Sequence, residues 1–539
     1  MSATVTARHA RAARPATGST LTGLGRLIAL ALRRDRIRLP VWVVVLTVSI
    51  GYMPAALEMA YPDEVDRLAR VNLMKNPAGI MFAGPMFGKN ETALGAMVAN
   101  EAMLTFIVAA SILAILTVVR RTRAEEESGT AELVLAAPVG RHARTVAAIL
   151  LLAGVNAVLA VTLTAATAAT GLPVVDSAAM SLGITGVAMV FGATAAVTAQ
   201  LWRTSRAATG AALGALAAAV VVRGVGDVIN HSGSVVSWLS PVAWAQQMRA
   251  FVEVRWWPLA LLVLLTVVLL GAAAVLERSR EYDAGTLPAG GDRPGAPPIR
   301  GVFGLQLVLQ RGQLIGWSVG LFLGGLTFGS LTQAMLDIAE ENELVAAMLA
   351  AHGNAGIFTT MTQFLAAATT AFIAITVLRL RSDEQSGLAE PVLAGSVSRW
   401  QWLLSTVAAT LLGAATLLFF AGLGNGLGAG IALGDPGTVG ELVLSALAHL
   451  PAMAVMTGIA ALAFALRMNW IAWLTVTFVI VSLYMGALLR VPQWLLDLSP
   501  VTRIKVPMET SVTTMVVMVL IGAALTATAG WRYRGRDAL

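Results

Sequence analysis

Long apolar stretches alternate with short polar ones along almost the whole chain. Apolar runs of about 18 or more residues with few or no charges, long enough to cross a bilayer as helices, lie near 39–57, 102–119, 146–170, 177–200, 207–222 and 256–276. A second series follows near 314–336, 356–378, 400–424, 442–466, 469–489 and 511–531. The pattern predicts an all-α polytopic membrane protein of about 12 transmembrane helices. Ahead of the first run, 21–38 places Leu21, Leu24, Ile28 and Leu32 on one helical face, with arginines clustered after them. That is an amphipathic helix suited to the membrane interface. A counterpart is expected at 299–313, where Leu305, Leu309, Arg311 and then Trp317 echo Leu32, Arg34 and Trp42.

The polar stretches repeat as well. Arg120–Arg144 reads RRTRAEEESGTAELVLAAPVGRHAR, and Arg379–Arg399 reads RLRSDEQSGLAEPVLAGSVSR. Arg123 and Arg381, Glu126 and Glu384, Gly129 and Gly387, and Glu132 and Glu390 are each 258 positions apart. Trp238–Val242 is matched by Leu498–Val501 at a separation of 259. The chain therefore divides into a polar tail (1–20), a first membrane half (21–276), a linker rich in Gly, Pro and charge (277–300) and a second half (301–539). With about six spans each, the halves share one orientation, as parallel repeats do.

Composition agrees. The chain is 57% hydrophobic and 12% charged, where soluble proteins carry about a quarter charged residues. The absence of cysteine removes disulfides and thiolate metal sites from consideration. Placing the loops on alternate sides puts most Lys and Arg with both tails, both islands and the linker. By the positive-inside tendency that face is cytoplasmic, in a bacterial plasma membrane, with both termini inside.

Each island has the logic of a short bounded helix. In the first, Ser128-Gly129-Thr130 breaks the preceding span, and 131–137 reads as a short helix with Thr130 near its N-cap and Glu132 in its first turn. Pro138 and Gly140 stop it, and Arg141 leads into the next span. In the second, Gly387 breaks, Glu390 opens a short helix over 389–394, Gly395 stops it and Arg399 follows. Such helices could pass a push from a partner to the spans they join. On the opposite side, Ser240-Pro241 and Ser499-Pro500 sit in stretches too polar to span. They are expected to form short re-entrant segments, an outer gate.

Glu127–Pro138, ESGTAELVLAAP, resembles the E-x-G-T-x-E-x-L-L-x-x-P signature of ABC-2 type permeases, the membrane subunits of ABC exporters. The double-length chain is similar to actinobacterial permeases that export polyketide antibiotics and other drugs. The resemblance implies that the signature docks on a separate ABC ATPase, expected in two copies. Glu126, Glu127, Gly129, Thr130, Glu132, Pro138 and Arg141 would then couple the first half to it, and Glu384, Gly387, Glu390 and Arg399 the second. Leu388 and Ser396 depart from the pattern where the first island has Thr130 and Pro138.

No G-x-x-x-x-G-K-[ST] loop is present. ATP and Mg are therefore expected on the partner, with no cofactor, metal site or catalytic residue in this chain, and nothing points to nucleic acid. The expected cargo is hydrophobic or amphipathic. Met103, Phe106, Gln363 and Phe372 would line its route if the second span of each half faces the axis. One alternative is a proton-coupled secondary drug transporter, which needs a titratable group deep in the membrane. Glu101 and Glu441 lie near span ends, and His449 is the one such residue well inside an expected span. A membrane-embedded enzyme would want one cluster of acid, base or arginine, and duplication of the islands fits it less well.

Overall fold

Helices form where the apolar runs lie. A computed structural model describes residues 20–75, 77–88, 91–129, 139–140, 142–230, 233–280, 285–286, 301–333, 336, 354–485, 498–504 and 510–535. Among these residues the chain is helical with no strand, and ten helices are long and apolar enough to span a membrane. The protein is an all-α, multi-pass membrane protein. It divides into two units, Met1–Arg293 and Pro294–Leu539.

In the first unit, α1 (Leu24–Arg34) is the amphipathic lead-in helix, and α2 (Arg38–Ala60) follows after a break at Asp35–Ile37. On the side away from the island come α3 (Glu64–Met74) and α4 (Pro77–Ala83). Then follow α5 (Leu94–Arg121), α6 (Arg123–Glu127), α7 (Ala143–Ala168), α8 (Val174–Leu201) and α9 (Ser205–Ile229). A 3-10 turn (Ser237–Leu239) and α10 (Pro241–Gln246) lead to α11 (Trp257–Ser279). The apolar windows of α5 and α8 are 72% buried and that of α11 is 11% buried, so α5 and α8 form the centre and α11 the periphery. Lipid is as apolar as leucine, so the centre is decided by close fit. Ala102, Ala110 and Ala114 of α5 and Ala188, Ala195 and Ala196 of α8 are almost fully buried. Periphery is where Val263, Leu264, Val267 and Val268 of α11 stand exposed, as lipid-facing positions should.

The second unit holds α12 (Gly301–Ser330), α13 (Asn354–Gln385), α14 (Glu390–Leu393), α15 (Arg399–Leu433), α16 (Gly437–Leu447), α17 (Leu450–Ala465), α18 (Trp470–Met485) and α19 (Val512–Arg534). Glycine brings α12 and α15 together at backbone distance. A Cβ built on Gly329 would lie 2.0 Å from the Asn425 carbonyl oxygen, and one on Gly424 would lie 2.1 Å from that of Phe322. Only glycine allows this approach.

Three expectations change. The helix expected to separate from its span at 299–313 instead runs unbroken into α12. The first half breaks at Asp35, which Arg121 holds; the matching position in the second half is Gly312, with no carboxylate to anchor a turn. Neither α12, which carries Gln306, Gln310, Arg311 and Gln313 in its first turns, nor α18, whose expected run continues past the described residues at 485, is among the ten span candidates found among the described residues. The run at 207–222 extends to Ile229, which draws Arg223 and Asp227 into a span-length helix.

Candidate functional site

The first island begins where α5 runs out of apolar residues. Thr122, at φ −114 and ψ −82, separates α5 from the single turn of α6. Gly129 ends that turn at φ +70, a left-handed value that favours glycine, and its N–H donates to the Glu126 carbonyl at 3.0 Å. Thr130, Glu132, Pro138 and Arg141 lie outside the described residues.

Glu126 is the centre of the site. Its side chain is 2% exposed and its carboxylate meets three guanidiniums. Arg280, just after α11, donates from Nη1 and Nη2 to the two carboxylate oxygens, both at 2.8 Å. Arg123 donates from Nη1 at 2.6 Å, and Arg144 of α7 donates to Oε1. Arg123 also donates through Nε to the Arg203 carbonyl, between α8 and α9. A two-pronged arginine–carboxylate pair fixes orientation as well as distance. One buried anion thus joins α6, the start of α7, the end of α11 and, through Arg123, the turn before α9.

Neighbouring contacts extend the latch. Arg121 donates to Asp35 at 3.0 Å, to the Ala31 carbonyl at 3.1 Å and to Glu125 at 3.2 Å, binding the α1–α2 break to α5. Glu127 accepts from the Ser205 N–H at 2.9 Å, where α9 begins. Glu277 of α11 accepts from Thr145 of α7 at 2.7 Å and lies 2.6 Å from His142 Nδ1.

The second island repeats the frame with less charge. Gly387 is left-handed at φ +72, and its N–H donates to the Glu384 carbonyl at 3.1 Å. Arg379 donates to the Leu309 carbonyl at 3.1 Å and Arg381 to the Arg467 carbonyl at 3.3 Å. These match Arg121 on Ala31 and Arg123 on Arg203. Glu390 opens α14, exposed, with Pro391 beside it. The position matching Arg144 is Trp402, buried, and Arg399 stands 5.9 Å from the Tyr533 ring.

On the opposite side of the first unit, buried polar groups hold the segment after α2. Arg70 donates to Asn100 at 2.8 Å and to Glu101 at 3.0 Å. Arg223 donates to the Ile80 carbonyl at 3.1 Å and lies 3.5 Å from Asp227. Gln246 donates to the Ala83 carbonyl at 2.9 Å. Ser240 caps α10, accepting from the Val242 N–H at 3.2 Å and donating to the Ala219 carbonyl at 2.7 Å, with Pro241 at the first helical position. Ser499 is fully buried beside Pro500, and Gln363 donates to the Ile504 carbonyl at 2.8 Å, so it ties α13 to that segment. Met103 lines a cavity of about 40 Å³ with Asn100, Gln246 and Arg249. Phe106 and Phe372 are buried in the cores of their own units, Phe372 edge-on to Trp317.

Sequence reasoning missed Arg144, Arg280, Arg223 and Asp227. Arg280 sat in what reads as a flexible linker, and Arg223 and Asp227 fell just past an apolar run. No local pattern pairs residues 154 positions apart.

A family model described as "Multidrug efflux system permease Rv1217c, C-terminal domain" matches residues 24–278 and 299–534. The multidrug efflux system permease protein Rv1217c of Mycobacterium tuberculosis (strain ATCC 25618 / H37Rv) is 36% identical over 527 residues, which cover 94% of this chain and 93% of that protein.

Proposed function

The chain belongs to the Rv1217c family of multidrug efflux system permeases, and from that premise we propose that it is the membrane subunit of an ATP-driven drug exporter whose ATP is hydrolysed on a separate ABC ATPase. It moves hydrophobic or amphipathic compounds out across the bacterial plasma membrane. Two copies of the ATPase bind the islands on the cytoplasmic side, and both termini of the chain lie on that side. The observation that carries this reading is the duplicated island, each copy ended by a left-handed glycine and each held by arginines to backbone carbonyls of neighbouring helices. A displacement applied beyond Gly129 reaches α7 and α11 through Glu126 without passing through soft side-chain packing. Glu127, Thr130, Glu132 and Pro138 are then contact residues or shape the contact, and Glu126 works behind them as a strut.

The test is co-purification with the ATPase and ATP-dependent drug uptake into inverted vesicles. Glu132→Lys with Glu390→Lys should abolish both while the permease still folds; undiminished complex formation would sink the assignment. A second reading, a proton-coupled drug transporter, draws on Asp227. It is buried in a span, and its Oδ1 has no hydrogen-bond partner among the described residues. Drug transport by the chain alone on a pH gradient, lost in Asp227→Asn, would favour it over the ATP-driven reading.

A further inference from the structure

The break between α1 and α2 leaves a groove that the latch does not use. It is lined by Ile28, Leu32, Leu39 and Val43 on one wall and by Leu151, Gly154 and Val158 of α7 on the other, and its volume is about 420 Å³. The walls are almost wholly apolar and open outward, with Leu32, Val44 and Val158 more than half exposed. Its polar rim carries Arg36 beside Asp35. Asp35 does not neutralise that rim, because Arg121 and Arg120 already engage it. The side chains of Arg33 and Arg36 have no ion-pair or hydrogen-bond partner among the described residues, whereas Arg38 lies close enough to Asp35, Arg120 and Arg121 for their charges to act on it. The groove is therefore an apolar trough whose rim bears uncompensated positive charge, at the depth where an interfacial helix meets a span.

We propose that this groove is a binding site for one anionic phospholipid of the leaflet on the island side. An acyl chain lies against Gly154 and Val158, and Arg36, with the exposed Arg33 one turn before it, receives the headgroup phosphate. The charge argument selects the occupant. A peptide or a drug could fill an apolar trough, but neither in general supplies an anion at its polar end, whereas an anionic lipid presents both parts at the right depth. The position gives the site a consequence. Asp35, at the inner edge of the same rim, is the residue through which Arg121 ties the α1–α2 break to the island. A phosphate held by Arg36 therefore sits one residue from that bond.

The test uses the purified full chain in detergent, titrated with phosphatidylglycerol or with phosphatidylcholine of the same acyl chains and followed by native mass spectrometry. The wild type should retain one phosphatidylglycerol far more tightly than phosphatidylcholine. At about a fivefold change per arginine near a surface, R33Q/R36Q should lose about 25-fold in affinity for phosphatidylglycerol and most of the preference. Gly154→Leu addresses the trough separately. A Cβ at Gly154 meets nothing within 4 Å, so a leucine side chain there starts into the open groove. It also favours the helix over glycine by up to about 1 kcal/mol, so the variant folds. It should lose lipid retention with every arginine in place. Equal retention of both lipids overturns the proposal, as does full retention by Gly154→Leu. Displacement of the lipid by glycerol phosphate at low concentration also overturns it, since the apolar trough would then be idle.

Discussion

Replacing Glu126 by glutamine keeps the shape of the side chain and removes its charge. Three guanidiniums that now share one carboxylate would face one another, with side chains 0%, 11% and 7% exposed for Arg123, Arg144 and Arg280. At a separation of about 4 Å and an effective dielectric of about 20, each lost attraction is about 4 kcal/mol before relaxation. Breaking a buried ion pair by deleting one partner costs about 3–5 kcal/mol overall. At about 2–4 °C per kcal/mol for a unit of this size, thermal unfolding of Glu126→Gln should begin about 10 °C lower. Hydrogen exchange should rise first at Ala143–Ala148 and at the end of α11, the two elements the carboxylate joins. The double variant Glu126→Gln/Arg280→Gln tests the cause. If repulsion among arginines dominates, removing Arg280 relieves it, and the double variant is more stable than the two single losses added together by about 1–3 kcal/mol. Glu384→Gln is the control. It stands partly exposed at a position with no counterpart of Arg144, and should cost less than about 1 kcal/mol. Additive losses in the double variant, or equal losses at Glu126 and Glu384, would refute the strut.

Gly129→Ala and Gly387→Ala each force a Cβ into a left-handed turn with open space around it. Each should cost about 1–2 kcal/mol from backbone strain alone, while asparagine should be better tolerated; thermal unfolding of the paired variants measures both. Gly329→Val puts a side chain where a backbone carbonyl lies 2.0 Å from the Cβ site, and should destabilise the second unit by about 3 kcal/mol or more. Gly320→Ala in the same helix meets nothing within 4 Å and should be neutral or stabilising by up to about 1 kcal/mol; a similar loss in both would dismiss close packing of α12 on α15. Arg223→Met strands Asp227 and unties α4, at about 3–5 kcal/mol. Adding Asp227→Asn should restore part of that in an unfolding assay but not the contact to Ile80.

What was legible follows from the range over which each force acts. Span-length apolar runs are local, so ten of the expected runs recur as span-length helices among the described residues, and the first lead-in helix is found at Leu24–Arg34. The left-handed turns were legible because glycine at a helix end has few other uses, and both Gly129 and Gly387 adopt them. The latch was not legible. Arg280 meets Glu126 only because α11 ends where α6 begins, and nothing at position 280 announces it. The glycines of α12 and α15 read as ordinary membrane composition until their partners stood within 3 Å. The second lead-in helix is present but continuous with its span, and Gly312 stands where the first half has Asp35.

The comparison of the two islands separates what a duplicated frame needs from what one copy has added. Both copies keep arginines that donate to carbonyls, Arg121 and Arg379 on the preceding helix, Arg123 and Arg381 on the turn after the fourth span. A carbonyl exists at every position, so these bonds survive side-chain drift in the partner. Among the described residues the carboxylate cage is seen at the first copy, where Arg144 and Arg280 meet Glu126 together, and Trp402 holds the place of Arg144 in the second. A force at the first island is therefore spread over α7, α9 and α11 by charge. At the second, the links described include two carbonyl bonds and the packing of Trp402 and Tyr533. If the islands receive equal pushes, the first half should move as one body and the second should yield more. Hydrogen exchange at Ala143–Ala148 and at Arg399–Leu404, compared with and without the bound partner, reads that difference directly, and equal protection of the two would mean that the cage carries no load.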